Sequence, residues 1–112
     1  VICERGDVVV IPFPFLERPV SKRRPALVCS QRAFNESNRH SIFAMITTGA
    51  HSSWPSDLPI TDGTSAGLDH TSIVRMKLFT LPNDFIIRKL GDLSRRDTIA
   101  LSKLTGAIFG EH

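Results

Sequence analysis

Along this chain the hydrophobic residues change their period once, near Ser94, and that change limits the fold more than any other feature. Before it, the apolar positions come in short runs rich in Val, Ile and Phe, broken by Pro, Gly, Asn and Ser, which is the pattern of strands and turns. Val8-Val9-Val10-Ile11 is continuous rather than alternating, so it predicts a strand buried on both faces and ended by Pro12 and Pro14. Pro25 opens a second strand, Ala26–Ser30, in a position that tolerates proline. Ser41–Thr47, a short piece at Leu58-Pro59-Ile60, Ser72–Leu78 and Phe85–Leu90 complete the set. Glu17 to Arg24 and Gly49 to Pro59 read as loops, and Arg32 to His40 as a connection with room for a helical turn. Asp62-Gly63 and Ala66-Gly67 mark turns.

After Ser94 the spacing becomes three and four. Leu101, Leu104 and Ile108 form one stripe, widened by Ile99 and Ala107. Ser94 is a good N-cap, Asp97 stands where a capping box needs it, and Gly110 supplies the stop. Five or six strands followed by one amphipathic helix predict a mainly β fold. The expected form is a small SH3-like β-barrel with a C-terminal α-helix, since closing a small sheet removes exposed edges. The apolar helix end, Ala107 to Phe109, points to burial at a dimer seam.

With 112 residues, the sequence reads as one domain, 1–112. No apolar run approaches the ~18 residues of a membrane span, and the opening Val1-Ile2-Cys3-Glu4-Arg5 lacks the layout of a signal peptide. Two cysteines, Cys3 and Cys29, make no disulfide scaffold, and Cys29 sits in an apolar run as a small hydrophobe. Without Cys-x-x-Cys or paired His, no metal and no cofactor is expected, and a cytoplasmic setting fits. The formal charge of +3 is unevenly spread. Arg18, Lys22, Arg23, Arg24, Arg32 and Arg39 crowd one stretch with a single acid, Glu36, whereas Asp57 to Asp69 holds no Lys or Arg. A one-sided basic segment suits a polyanion or an acidic partner; a solvated loop is the plain alternative.

Metal-free cleavage of RNA needs a base for the ribose 2′-hydroxyl, an acid for the leaving oxygen, and cationic donors for the crowded phosphate in between. Arginine suits the last task because its fork binds phosphate oxygens in pairs. Arg24 stands where the basic loop meets a strand; a surface arginine at a loop end is its bland reading. Thr47 and Thr48 end a strand, where a hydroxyl holds a phosphate or caps a turn. Arg75 sits mid-strand, as a phosphate clamp or as the exposed face of an edge strand. His51 follows Thr47 closely enough to overhang a site there, although a loop histidine is usually only solvated.

Arg5-Gly6-Asp7-Val8-Val9-Val10, followed after about twenty residues by Arg24-Pro25-Ala26-Leu27-Val28, resembles the opening of the MazF/PemK (Kid-type) toxins. Ala44-Met45-Ile46-Thr47, Gly67-Leu68 to Ser72-Ile73-Val74, and Arg88-Lys89-Leu90-Gly91-Asp92-Leu93-Ser94 resemble later stretches of that family, in order and over nearly the whole chain. The resemblance implies the CcdB/MazF-like toxin fold, a homodimer and sequence-specific cleavage of single-stranded RNA. It also implies 2′,3′-cyclic phosphate and 5′-hydroxyl ends made without metal, an antitoxin partner, and contact with operator DNA only through the antitoxin complex. Carried over position by position, it puts Arg24, Thr47 and Arg75 in the catalytic set; Lys22, Arg23, Thr48 and Lys77 are expected to bind RNA beside them. Lys77 stands where the Kid-type branch has an aspartate, and Glu17 is slightly displaced from the family's loop acid. The base is therefore left between Glu17 and His51. Two other readings stay open: a non-enzymatic, CcdB-like toxin that binds a protein such as gyrase, and a binding module for operon repression with an antitoxin.

Overall fold

The computed structural model describes residues 1–13, 22–48 and 53–110. Six strands form one antiparallel sheet: β1 (Asp7–Phe13), β2 (Lys22–Val28), β3 (His40–Thr47), β4 (Leu58–Pro59), β5 (Ile73–Pro82) and β6 (Arg88–Asp92). Their order is β4-β5-β3-β2-β1-β6, so the sheet curls into a half-barrel with β4 and β6 at its edges. Helix α1 (Arg32–Asn38) joins β2 to β3, α2 (Gly63–Ala66) follows β4, and α3 (Arg95–Phe109) ends the chain.

Both faces of the sheet are covered, as the unbroken run at Val8 to Ile11 predicts. Val8 packs on the inner face with Leu27, Ala44, Val74 and, from α3, Leu101. Val9 and Ile11 pack on the outer face with Ala26, Val28 and Phe43. Alternate residues of one strand thus feed two cores. The outer core is fastened by buried amides. Asn35 donates to the carbonyls of Cys3 (2.9 Å) and Ser30 (3.1 Å), and Asn83 accepts from Ser41 Oγ at 2.6 Å while donating to the Asn35 carbonyl at 2.8 Å.

Several boundaries differ from the expected ones, each for a physical reason. β1 runs through Pro12, and β2 begins at Lys22, so the three cations before Pro25 lie on a strand and not in a loop. β3 joins β2 only from Ala26 and β6 joins β1 only as far as Val10, which leaves each proline with one edge outside the ladder, where a missing N–H is tolerated. Arg32–Asn38 is a full helix rather than a connection. β5 extends to Pro82 because a bulge at Met76 and Lys77 breaks the alternation without ending the ladder. The last strand starts at Arg88, after a 3-10 turn at Asn83–Phe85 held by the buried Asn83.

The helix caps behave as expected: Ser94 Oγ accepts from the Asp97 N–H at 3.2 Å, and Gly110 adopts φ 72°. The Asp97 carboxylate does not close a capping box. It is buried and accepts from Thr61 N (3.0 Å), Thr61 Oγ1 (2.7 Å) and Asp62 N (3.2 Å), latching α3 to the chain between the two sheet edges. There α2 lies against β6 so closely that a Cβ on Gly91 would stand 2.4 Å from the Ser65 carbonyl oxygen. The predicted stripe of α3 is only partly buried: Leu101 is enclosed and Leu104 half-buried, while Ile99, Ile108 and Phe109 are exposed.

Candidate functional site

The β2–β3 register explains how the predicted residues come together. Ala26 faces Met45 and Leu27 faces Ala44. The ladder ends at the Ala26–Met45 pair; Arg24 on β2 and Thr47 on β3 lie two residues beyond it, and Arg23 and Thr48 three. Side chains alternate along a strand, so the two pairs fall on opposite faces. Arg24 and Thr47 share the outer face with Ala26 and Met45; Arg23 and Thr48 share the inner one. On the far side of β3, Arg75 pairs with Met45 and takes the outer face too. Arg24, Thr47 and Arg75 therefore stand on one side of the sheet around Met45.

The two outer arginines are held differently. Arg24 is exposed, and its guanidinium lies 5.5 Å from the Phe13 ring centroid. Phe13 is paired with Lys22, which puts Lys22 on this face as well. Arg75 is only 16% exposed and donates through Nε (3.0 Å) and Nη2 (2.9 Å) to the two oxygens of Asp57. The Trp54 ring covers the same guanidinium at 5.5 Å, and the Trp54 backbone N–H donates to Asp57 Oδ2 at 2.9 Å. The hydrogen bond from Arg75 holds the Asp57 carboxyl below its ordinary range, and Asp57 raises Arg75 in return. The clamp is thus charged on both sides at neutral pH.

Lys77 is exposed at the β5 bulge, displaced from the line through Arg75. Glu17 and His51 lie outside the described residues, so the two expected bases have no position here. Sequence reading missed Asp57 and Trp54. Its available signal was local: Trp54 and Asp57 close a turn through an Asp57 N–H to Trp54 carbonyl bond of 3.0 Å, but nothing nearby in the chain points to β5.

On the inner side, at the mouth of the half-barrel, a cavity of about 520 Å³ opens beneath Arg23 and Thr48. Arg24, at its rim, Arg88 and His70 also line it, and Val10, Pro25 and Leu90 contribute apolar surface. Among the described residues, no group of three His, Cys, Asp or Glu side chains could hold a metal ion. Nor is any described helix long and apolar enough to cross a membrane. Cys29, half-buried beside Leu27 and away from these cations, has its thiol pushed up to about 11 by burial.

Comparison with known proteins supports the fold over nearly the whole chain. The family of PemK-like, MazF-like toxins of type II toxin–antitoxin systems matches residues 4–108. An endoribonuclease solved in complex with its cognate antitoxin from Mycobacterial species superposes with a TM-score of 0.75 at 20% identity, covering 97% of this chain and 94% of that one. MazF from Deinococcus radiodurans superposes at 0.73 with 19% identity over 98% of both chains. A MazE–MazF complex from the same organism reaches 0.76 at 16% identity over 100% of both. At such identities these structures share the fold. No curated protein sequence matches the chain.

Proposed function

The chain belongs to the PemK-like, MazF-like toxin family of type II toxin–antitoxin systems, and from that membership we propose that it is an endoribonuclease cutting single-stranded RNA without metal, at the Arg24–Thr47–Arg75 face. The single observation that supports this reading is the strand alternation that gives two arginines from separate strands and a threonine the same face of the sheet.

In-line attack by a ribose 2′-oxygen on its own 3′-phosphate builds negative charge on the non-bridging oxygens. Arg75, fixed by Asp57 and Trp54, offers charge there with little reorganisation. Arg24 approaches from the ribbon and completes the clamp, while the Thr47 hydroxyl contributes a neutral hydrogen bond. Attack breaks the P–O5′ bond and leaves a 2′,3′-cyclic phosphate and a 5′-hydroxyl. Glu17 and His51 are the candidates for removing the 2′-proton. Lys22 and Lys77 flank the face and draw in the strand. The cognate partner in this reading is an antitoxin, as in the complexes solved for this fold, with an acidic segment lying across the same cations. The working form is a cytoplasmic homodimer, with the exposed Ile108 and Phe109 on α3 as the natural surface to bury.

Incubating the protein with single-stranded RNA in EDTA and mapping the ends tests the reading. Cyclic-phosphate and 5′-hydroxyl ends are the expected products. RNA left intact at every salt concentration, together with capture of a protein target, would instead support a CcdB-like binding toxin.

A further inference from the structure

The residue that holds Arg75 also limits what Arg75 can do. β4 meets β5 through two pairs, Leu58 with Val74 and Pro59 with Ile73, and Asp57, just before Leu58, comes up beside Arg75. Its two carboxylate oxygens take the Nε and Nη2 donors side-on, at 3.0 and 2.9 Å, and the Trp54 ring lies over the same guanidinium. Oδ2 also accepts the Trp54 backbone N–H, and the Asp57 side chain is only 10% exposed. An arginine beside a scissile phosphate serves in one of two ways. It holds charge against the developing oxyanion, or it hands a proton to the departing 5′-oxygen. In the second case Arg75 would stand neutral against a largely covered carboxylate stripped of its counter-charge, which is the costly way to break such a pair. The Asp57 hydrogen bond also raises Arg75 above its ordinary value, in the same direction.

We propose that Asp57 is a positioning residue that fixes Arg75 as a clamp of constant charge and takes it out of proton transfer. The ribose 2′-oxygen gives its proton to the base and attacks phosphorus. The P–O5′ bond breaks, and the departing oxygen takes its proton from water while Arg75 stays a cation throughout. This rests on the endoribonuclease reading and assigns one step within it.

The test uses the full chain and two oligonucleotides built around the cleavage site mapped in RNA, one with oxygen and one with sulfur at the bridging 5′ position of the scissile bond. Sulfur departs as a thiolate and needs no proton, so a variant that lacks the proton donor regains rate on it. Arg75→Ala is expected to lose the same factor on both substrates, to within about threefold. A loss smaller on sulfur by more than that would make Arg75 the proton donor and overturn the proposal. Asp57→Asn is expected to lower kcat about tenfold, equally on both substrates, with KM within about twofold of the parent. Asp57→Glu, which keeps the charge but moves it by one methylene, should recover part of that loss. A purely structural Asp57 would lower the melting temperature and leave kcat intact well below it, which would overturn the positioning role. Should Asp57→Asn fail to fold, Asp57→Glu answers alone: its kcat is expected below that of the parent, and full kcat would refute the role. If the parent cuts neither RNA nor these substrates, the endoribonuclease reading itself falls; if it cuts and the ratios differ, only this division of tasks does.

Discussion

Arg24 and Arg75 present the same functional group from the same face of one sheet, but the molecule treats them in opposite ways. Arg75 is locked by two hydrogen bonds to Asp57 and covered by Trp54, on a strand paired along most of its length. Arg24 is exposed on a two-stranded ribbon, with its guanidinium over the Phe13 ring. The first is preorganised, so its charge is in place before any substrate arrives. The second gives up side-chain freedom on binding and has no carboxylate among the described residues to compete for it. A site for a flexible polyanion gains from this division: one arm fixes where the phosphate sits, and the other closes on it.

The largest effect expected from this contrast is at the open arm. Arg24→Ala should lower kcat/KM by about 10²- to 10³-fold, the range for removing one donor to a developing oxyanion, while the melting temperature stays near that of the parent because the side chain is exposed. Rates read from oligonucleotide cleavage, alongside thermal melts, check both halves. A smaller loss, about tenfold to a hundredfold, is expected for Arg75→Ala. This time the melting temperature should also fall, since Asp57 and Trp54 lose the group they enclose. Equal melting behaviour for the two variants would erase the distinction between a locked arm and an open one.

A subtler effect concerns pH. The Asp57 carboxyl is held below its ordinary value of 3.8, chiefly by the Arg75 hydrogen bond. Its contribution to the clamp is therefore complete above that value and is lost as the pH falls through the depressed one. Trp54 is the only tryptophan of the chain, so its emission reports the clamp directly. Emission should be flat from neutral pH down to about 4 and change below it, and Asp57→Asn should remove that transition. Smallest of all is the response of the thiol. Cys29, raised to about 11, should stay unmodified by alkylating reagents at pH 8 in the native protein and react once it is unfolded.

Much of the scaffold was legible because it depends on local pattern. The continuous Val8 to Ile11 run foretold two covered faces, and Ser94 and Gly110 bounded the helix as placed. What escaped depends on contacts between distant parts of the chain. Lys22 to Arg24 read as a loop because charge and proline are loop signals, yet pairing with β1 on one side is enough to hold them extended. Asp97 looked like half of a capping box, but Thr61 and Asp62 offered its carboxylate three donors. The stripe of α3 was read as lying along the sheet, whereas in the single chain the helix leaves the core after Leu101 and Leu104, and its apolar end, read as a dimer seam, is exposed. Within the candidate site, Arg24, Thr47 and Arg75 could be named from the chain alone. Their common face is supplied by the register, and Asp57, eighteen positions from Arg75, is brought in only by the fold.

A double-mutant cycle between Arg24 and Arg75, read as kcat/KM for one oligonucleotide, goes straight to the heart of this account. If both side chains grip one phosphate, the losses of the single variants will fail to add, with an interaction energy of about 1 kcal/mol or more. Losses that sum to within about 0.5 kcal/mol would mean that the two arginines act on separate ligands, and the shared site would be refuted.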